Sequence, residues 1–294
     1  MSEALQVYID GKLCDEADAK VSVFDHGLLY GDGVFEGIRF YNGRVFKLKE
    51  HIDRLFDSSK AIQLTVPCSH EEVSEAVMQT IRANDLQDGY VRLLVTRGVG
   101  SLGLNPFLCE KASLIIIASK IALYDEEKYQ QGLTVVTCGT RRPAPAALSP
   151  SVKSLNYLNN IMAKIEAINA GAEEGVMLNE QGFVAECTGD NIFIVKEGKI
   201  YTPPVTAGGL NGITRRVVMD LAREEGFELF EQDLTRYELY TADEFFLSGT
   251  AAEVVPVATY DGRQIGSGQI GPVTLRLMEF FRELTQTTGV PIYD

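Results

Sequence analysis

The sequence predicts an α+β protein of two domains. Short strand patterns are joined by tight-turn signals, as in antiparallel pairing. Helical patterns fall between them without the regular strand–helix alternation of a parallel, doubly wound sheet. A polar stretch, residues 121–133 (IALYDEEKYQQGL), separates two blocks that are each long enough for a core of their own. On this reading 1–120 is a small α/β domain, 121–133 the interdomain loop and 134–294 a larger, barrel-like α+β domain.

Each element has a local reason. Val7–Leu13 reads as a short strand. Val34–Phe40 and Arg44–Lys47 flank Tyr41-Asn42-Gly43, and Asn-Gly is the strongest short hairpin signal. A helix follows over about Lys49–Ile62, and another starts at Ser69, with Glu72 placed for a capping box. Tyr90–Thr96 and Ala112–Ala118 are strand-like. In the second block Leu133–Thr137 is a strand and Arg141–Pro150 a loop. After Lys153, residues Leu158, Ile161, Met162, Ile165 and Ile168 recur at helical spacing and predict one apolar face. Hairpins are expected around Asn179–Gly182 and Glu197-Gly198. Helices are expected over Ile213–Glu225 and Pro272–Leu284, with strands at Phe245–Leu247 and Glu253–Ala258.

Composition excludes several functions. The 294 residues are 45% hydrophobic, enough to fold, and carry a net charge of −14, which repels nucleic acid and anionic membranes. The longest apolar run, Leu114–Ser119, is strand-sized rather than membrane-spanning. The N-terminus has neither a basic region nor a long apolar stretch, so no signal peptide is expected. Cys14, Cys68, Cys109, Cys138 and Cys187 have no CxxC spacing and read as reduced thiols in a cytoplasmic protein. His26, His51 and His70 form no metal motif. Gly31-Asp-Gly-Val-Phe-Glu-Gly37 misses the dinucleotide spacing and runs into a strand instead of opening a helix.

Four features carry chemistry. Lys153 lies in Ser-Val-Lys-Ser-Leu-Asn-Tyr (151–157), expected at the edge of a packed helix. Lost hydration there favours the neutral amine, a nucleophile able to form a Schiff base. Gly212-Ile213-Thr214 opens a helix, and Ser248-Gly249-Thr250-Ala251 follows an apolar strand; the free N–H groups and hydroxyls of both turns suit a phosphate. Arg54 offers a planar fork for phosphate oxygens. Glu186 offers a carboxylate to a heterocyclic nitrogen. Each alone has an ordinary structural explanation; together they are what pyridoxal 5'-phosphate requires.

The chain resembles the class IV (fold-type IV) pyridoxal-phosphate aminotransferases, in particular the branched-chain-amino-acid aminotransferases. The resemblance rests on YGDGVFEGIRFY (30–41), EHIDRL (50–55), YVRLLVTRG (90–98), LGLNP (102–106), VKSLNYLNN (152–160), GFVAECTGDNIF (182–193), TPPVTAGGLNGITR (202–215) and SGTAAEVVPV (248–257), in that order. It implies a cofactor held between a small and a large domain, and a homodimer or higher homo-oligomer. It implies that Lys153 bonds the cofactor and moves the substrate proton, and that Glu186 pairs with the ring nitrogen. Arg54, Ile213, Thr214 and Thr250 form the phosphate cup, Leu210 lies beneath the ring, and Tyr157 bonds the phenolic oxygen. Tyr30, Phe35 and Gly37 match the side-chain pocket, Tyr90 and Arg92 the site for a distal carboxylate, and Thr250 and Ala251 that for the α-carboxylate.

The implied activity is transamination between leucine, isoleucine or valine and 2-oxoglutarate, with no metal. The alternatives are a D-amino-acid or R-amine transaminase, an aminodeoxychorismate lyase, or a non-catalytic scaffold. Relatives with D-amino-acid activity carry an arginine and a histidine in the loop that is here Val99–Pro106, which has neither. Many branched-chain enzymes place a tryptophan in the interdomain loop; this chain has no Trp, and Tyr124 stands nearby in sequence.

Overall fold

The computed structural model describes residues 5–293. They form two compact units. One comprises the described residues up to Ile121, together with Val152–Asn156 and those from Thr285 onward; the other comprises Ala122–Ser151 and Tyr157–Leu284. A cut at 121–133 therefore leaves the Lys153 segment and the C-terminal residues on the wrong side.

In the first unit the elements are β1 (Gln6–Ile9), β2 (Lys12–Asp15), α1 (His26–Tyr30), β3 (Gly33–Tyr41), β4 (Arg44–Val45), α2 (Leu48–Ala61), α3 (His70–Ala83), β5 (Gly89–Thr96) and β6 (Ser113–Ser119). With a C-terminal strand, Val290–Pro291, they make a seven-stranded antiparallel sheet. Asn42 and Gly43 have φ of 47° and 68°, the left-handed pair of a two-residue hairpin turn. The single strand expected over Val7–Leu13 is instead a hairpin. Asp10 and Gly11 are also left-handed, and Ile9 pairs with Lys12.

Strand alternation splits β3 and β5 into two faces. Val34, Ile38, Phe40, Val91, Leu93 and Val95 are buried against Ile52 and Leu55 of α2 and Val73, Val77 and Ile81 of α3. Phe35, Gly37, Tyr90 and Arg92 belong to the opposite face. The capping box at Ser69 and Glu72 forms as expected.

The second unit contains α4 (Glu126–Gln131), β7 (Leu133–Thr137), α5 (Leu158–Asn169), β8 (Glu174–Leu178), β9 (Val184–Cys187), β10 (Asn191–Lys196), β11 (Lys199–Thr202), α6 (Ile213–Glu224), β12 (Leu229–Glu231), α7 (Arg236–Tyr240), β13 (Glu244–Gly249), β14 (Glu253–Tyr260), β15 (Arg263–Gln264) and most of α8 (Pro272–Thr287). Its nine strands form one mixed sheet curled into a half-barrel. Most pairs are antiparallel, while β11–β12, β14–β7 and β7–β8 are parallel. Leu133, Val176, Ile192, Phe245, Leu247 and Tyr260 are among the buried residues of its core. The stretch expected to be linker holds α4. Tyr124 packs against this core beside Tyr129, and its phenol is raised by burial and then by the charges of Asp190 and Glu174.

Two expectations about Lys153 and its helix need correction. The helix begins at Leu158, with Tyr157 as N-cap, so Lys153 precedes it by more than a turn. The buried residues of α5 are Ala163 and Ala167, and Ala163 packs with Cys138 and Met177. The apolar row Leu158, Ile161, Met162, Ile165 and Ile168 is 45–69% exposed. Helical periodicity identifies an apolar stripe; it does not say what covers it.

Candidate active site

Lys153 is held in extended backbone against β3. Phe35 N donates to Lys153 O at 3.0 Å, Leu155 N donates to Gly33 O at 2.9 Å, and Ser154 bridges Val34. Lys153 N donates to Ser58 Oγ of α2 at 3.2 Å. The side chain is half-buried, with Nζ 4.4 Å from the centre of the Phe35 ring. The Arg92 guanidinium lies over the same ring at 4.7 Å and 5.5 Å from that of Tyr90. A Cβ on Gly37 would fall 2.0 Å from Tyr90 Oη, so glycine is what lets this ring lie against the strand. Tyr30, the last residue of α1, donates its hydroxyl proton to Leu102 O.

On the other face of β3 is a charged cluster. Glu36 is fully buried in the row between Val34 and Ile38. Arg54 Nε and Nη2 donate to its two oxygens at 2.7 and 2.8 Å, and His51 Nδ1 donates at 2.7 Å. Burial alone would raise the Glu36 carboxyl, but the charge and hydrogen bonds of Arg54, helped by His51, bring it down to about 2. Burial lowers the His51 pKa, with Glu36 pulling the other way.

In the second unit Glu186 is buried on β9. Arg142 Nη2 lies 2.9 Å from its Oε1. Leu210 N and Asn191 Nδ2 donate to Oε2 at 2.8 and 3.3 Å. Arg142 also donates to Asn160 Oδ1 and Gly208 O. These charged and neutral donors suit an anionic carboxylate.

Asn191 connects this carboxylate to both small-residue turns. Its amide also donates to Leu210 O, and it pairs across the sheet with Ser248. Gly212 caps α6 without a side-chain cap, and a Cβ there would meet Asn191 Oδ1 at 2.1 Å. The amides that open α6, Ile213 and Thr214, thus begin a helix whose N-terminal dipole favours an anion. At the other turn Thr250-Ala251-Ala252 link β13 to β14, with Glu253 left-handed at φ 60°. Ser248 Oγ is buried without a hydrogen-bond partner.

Of the residues singled out by sequence, the first unit brings together Lys153, Phe35, Gly37, Tyr90 and Arg92, places Arg54 on Glu36, and holds Tyr30 at the Leu102 loop. The second gathers Glu186, Leu210, Ile213 and Thr214 through Asn191, with Thr250 and Ala251 beyond Ser248; Tyr157 caps α5. Sequence reasoning missed Glu36, His51, Arg142 and Asn191. Glu36 had a signal: a carboxylate at the inward phase of an apolar strand. Arg142 had none, being adjacent to Arg141, which is exposed where Arg142 is buried.

Within the first unit an amine lies beside an aromatic ring; within the second an anchored carboxylate is linked through Asn191 to a helix N-terminus. Each is a kind of group that a phosphorylated pyridine cofactor uses. Among the described residues no cluster suited to a metal ion occurs, and no helix is long and apolar enough to cross a membrane.

A fold and site of this kind define a class of cofactor-dependent group-transfer enzymes, and sequence comparison identifies which. The sequence pattern of amino-transferase class IV matches residues 33–260. A Methanocaldococcus jannaschii protein, named provisionally a branched-chain-amino-acid aminotransferase, is 53% identical over 99% of this chain and 100% of its own. The Pseudomonas aeruginosa branched-chain-amino-acid aminotransferase is 43% identical over 95% of this chain and 92% of its own. Among solved structures, the Escherichia coli branched-chain amino acid aminotransferase superposes with a TM-score of 0.94 at 39% identity, covering 97% of each chain. The Thermobaculum terrenum branched-chain amino acid aminotransferase in its pyridoxal-phosphate form gives 0.88 at 31% identity, covering 97% of this chain and 95% of its own. The chain belongs to the class IV aminotransferases.

The buried carboxylate gives a pH prediction. The Glu36 carboxyl is lowered from 4.5 to about 2 in the folded protein, which is worth roughly 3 kcal/mol of stability. The contribution is complete above about pH 4.5 and is lost progressively as pH falls toward 2. Urea unfolding of wild type and Glu36→Gln at pH 6, 4 and 3 should show the gap between them narrowing as pH falls. A constant gap would contradict this origin.

Proposed function

We propose that this chain is a pyridoxal-phosphate-dependent transaminase that moves the amino group between leucine, isoleucine or valine and 2-oxoglutarate. One observation carries the reading. The Phe35 ring meets both the Lys153 amine and the Arg92 guanidinium, so a nucleophile, an apolar wall and a carboxylate-binding cation share one strand face. When bound, pyridoxal phosphate supplies a carbonyl that bonds amines and a ring that draws off carbanion charge.

The residues do the rest. Lys153 Nζ is the nucleophile that bonds the cofactor; once released, it takes the α-proton of the amino acid and returns it as general acid. Glu186, held by Arg142, Asn191 and Leu210, keeps a proton on the ring nitrogen. Arg54, the amides of Ile213 and Thr214 and the Thr250 hydroxyl hold the phosphate. Leu210 supports the ring, and Tyr157 donates to its phenolic oxygen. The amides of Thr250 and Ala251 bind the α-carboxylate.

Tyr30 and Phe35 form apolar walls for a branched side chain, with Gly37 leaving room for Tyr90. Arg92, assisted by Tyr90, takes the second carboxylate of glutamate or 2-oxoglutarate. One site thus serves both half-reactions, which gives ping-pong kinetics. The five free cysteines suit a reducing cytoplasm.

The exposed apolar row on α5 supports a homo-oligomer, dimer or hexamer, because contiguous apolar surface of this kind marks protein–protein contacts.

Three outcomes test the proposal. The purified protein should show a visible band of bound cofactor that bleaches with L-glutamate and with L-leucine, and Lys153→Ala should lower turnover by roughly 10³-fold or more. A protein that shows no band even with added cofactor would overturn the reading; a band answering only to D-amino acids would overturn the substrate assignment. Arg92→Gln should raise KM for glutamate and 2-oxoglutarate about 10–100-fold, the worth of a charged hydrogen bond, and move that for leucine only slightly. Equal changes for both would remove Arg92 from the distal-carboxylate role. Ile161→Glu with Ile165→Glu should reduce the mass measured by light scattering; an unchanged assembly would clear α5 of the interface.

A further inference from the structure

We propose that Glu36 and His51 are positioning residues that fix the Arg54 guanidinium for a phosphate monoester and set its place relative to Lys153. The inference rests on the cofactor reading above. Stability alone does not call for a buried ion pair in an apolar strand row, since well-packed apolar side chains in place of the whole pair often do as well. Glu36 nonetheless occupies the row between Val34 and Ile38 with no exposure.

What it provides is geometry. Two parallel hydrogen bonds from Arg54 define the plane of the guanidinium. His51 Nδ1 faces an anionic acceptor, so it carries the proton and donates, fixing the carboxylate in turn. The Glu36 and His51 side chains are 0% and 2% exposed, while that of Arg54 is 13% exposed. The outermost member of the cluster is therefore the one with donors suited to phosphate.

The same helix face also fixes the lysine. His51, Arg54 and Ser58 stand at spacings of three and four on α2, and Ser58 Oγ receives the Lys153 N–H. Lys153 O in turn receives the N–H of Phe35, the neighbour of Glu36 on β3. The phosphate fork and the nucleophile are thus referred to one helix and one strand. Because Glu36 offsets much of the Arg54 charge, what Arg54 offers an anion is oriented donors more than net charge.

The test compares the affinity of cofactor-free full-length protein for pyridoxal phosphate and for pyridoxal, which lacks the phosphate. Binding is followed by absorbance, with folding checked by circular dichroism. Wild type should prefer pyridoxal phosphate strongly, and Arg54→Leu should collapse that preference. Glu36→Gln and His51→Ala should each cut it by roughly tenfold or more, leaving pyridoxal affinity nearly unchanged. His51→Asn, whose amide mimics the Nδ1 donor, should restore it.

If Arg54→Leu loses the preference while Glu36→Gln and His51→Ala keep it, the inference fails and the cofactor reading stands. Equal weakening of both ligands would make the cluster merely structural, and the inference fails again. If wild type has no preference for the phosphate form, the cofactor reading itself falls. Should Glu36→Gln fail to fold, the His51→Ala and His51→Asn pair decides.

Discussion

Phe35 N–H donates to Lys153 O, and Leu155 N–H donates to Gly33 O; this short ladder brings a segment from far along the chain into the first sheet. It has a physical reason. β3 is nine residues long, but β4 pairs only with its last two, Phe40 and Tyr41. The opposite edge pairs with β5 from Gly33 to Phe40. Residues 153–155 pair with the stretch of β3 that β4 leaves open, and so satisfy backbone groups that would otherwise form an unpaired edge. Lys153 is placed by backbone pairing, the least adjustable contact available, rather than by a helix end.

That ladder gives β3 two jobs, one per face. Phe35 and Gly37 belong to the face with Lys153, Tyr90 and Arg92. Glu36 belongs to the face with α2. Because the side-chain period is two, a slip of one residue would exchange them. Glu36 would then sit beside the lysine, and Phe35 would enter the charged cluster. The register is pinned at one end by the left-handed pair Asn42 and Gly43, along one edge by eight residue pairs with β5, and along the other by residues 153–155.

The sequence carried the local part of this arrangement. Asn42-Gly43, Glu197-Gly198 and the Ser69 capping box follow from side-chain chemistry within a few residues, and each is present. The ordered motifs were also legible, because Lys153, Glu186 and the glycine-bearing turns differ from their neighbours in kind. Long-range pairing was not legible. Nothing near Val152 says that this stretch returns to the first sheet, and the apolar residues after Leu158 suggested a buried helix face where the buried side chains are Ala163 and Ala167. Small residues win there because the helix lies close to its sheet: Cys138 Sγ reaches Ala163 O at 3.2 Å. Arg142 was invisible for a related reason. Only the fold distinguishes it from Arg141.

Three arginines show how the strength of holding can be matched to task. Arg54 and Arg142 are each tied to a buried carboxylate, Glu36 and Glu186. Such pairs resist disruption, because removing one partner strands a buried charge at a cost of about 3–5 kcal/mol. In the proposed roles, a phosphate fork and the anchor of a ring-nitrogen partner, these groups must not move and call for that kind of restraint. Arg92 lies over the rings of Phe35 and Tyr90, and among the described residues no carboxylate pairs with it. A cation over an aromatic face gains only about 0.5–1 kcal/mol at an accessible site, less than a charge-assisted pair with an arriving carboxylate provides. On the proposed reading Arg92 meets glutamate in one half-reaction and yields to an apolar side chain in the other. Such an arginine has to be held weakly, and the proposed aromatic walls for leucine are also the surfaces on which it rests.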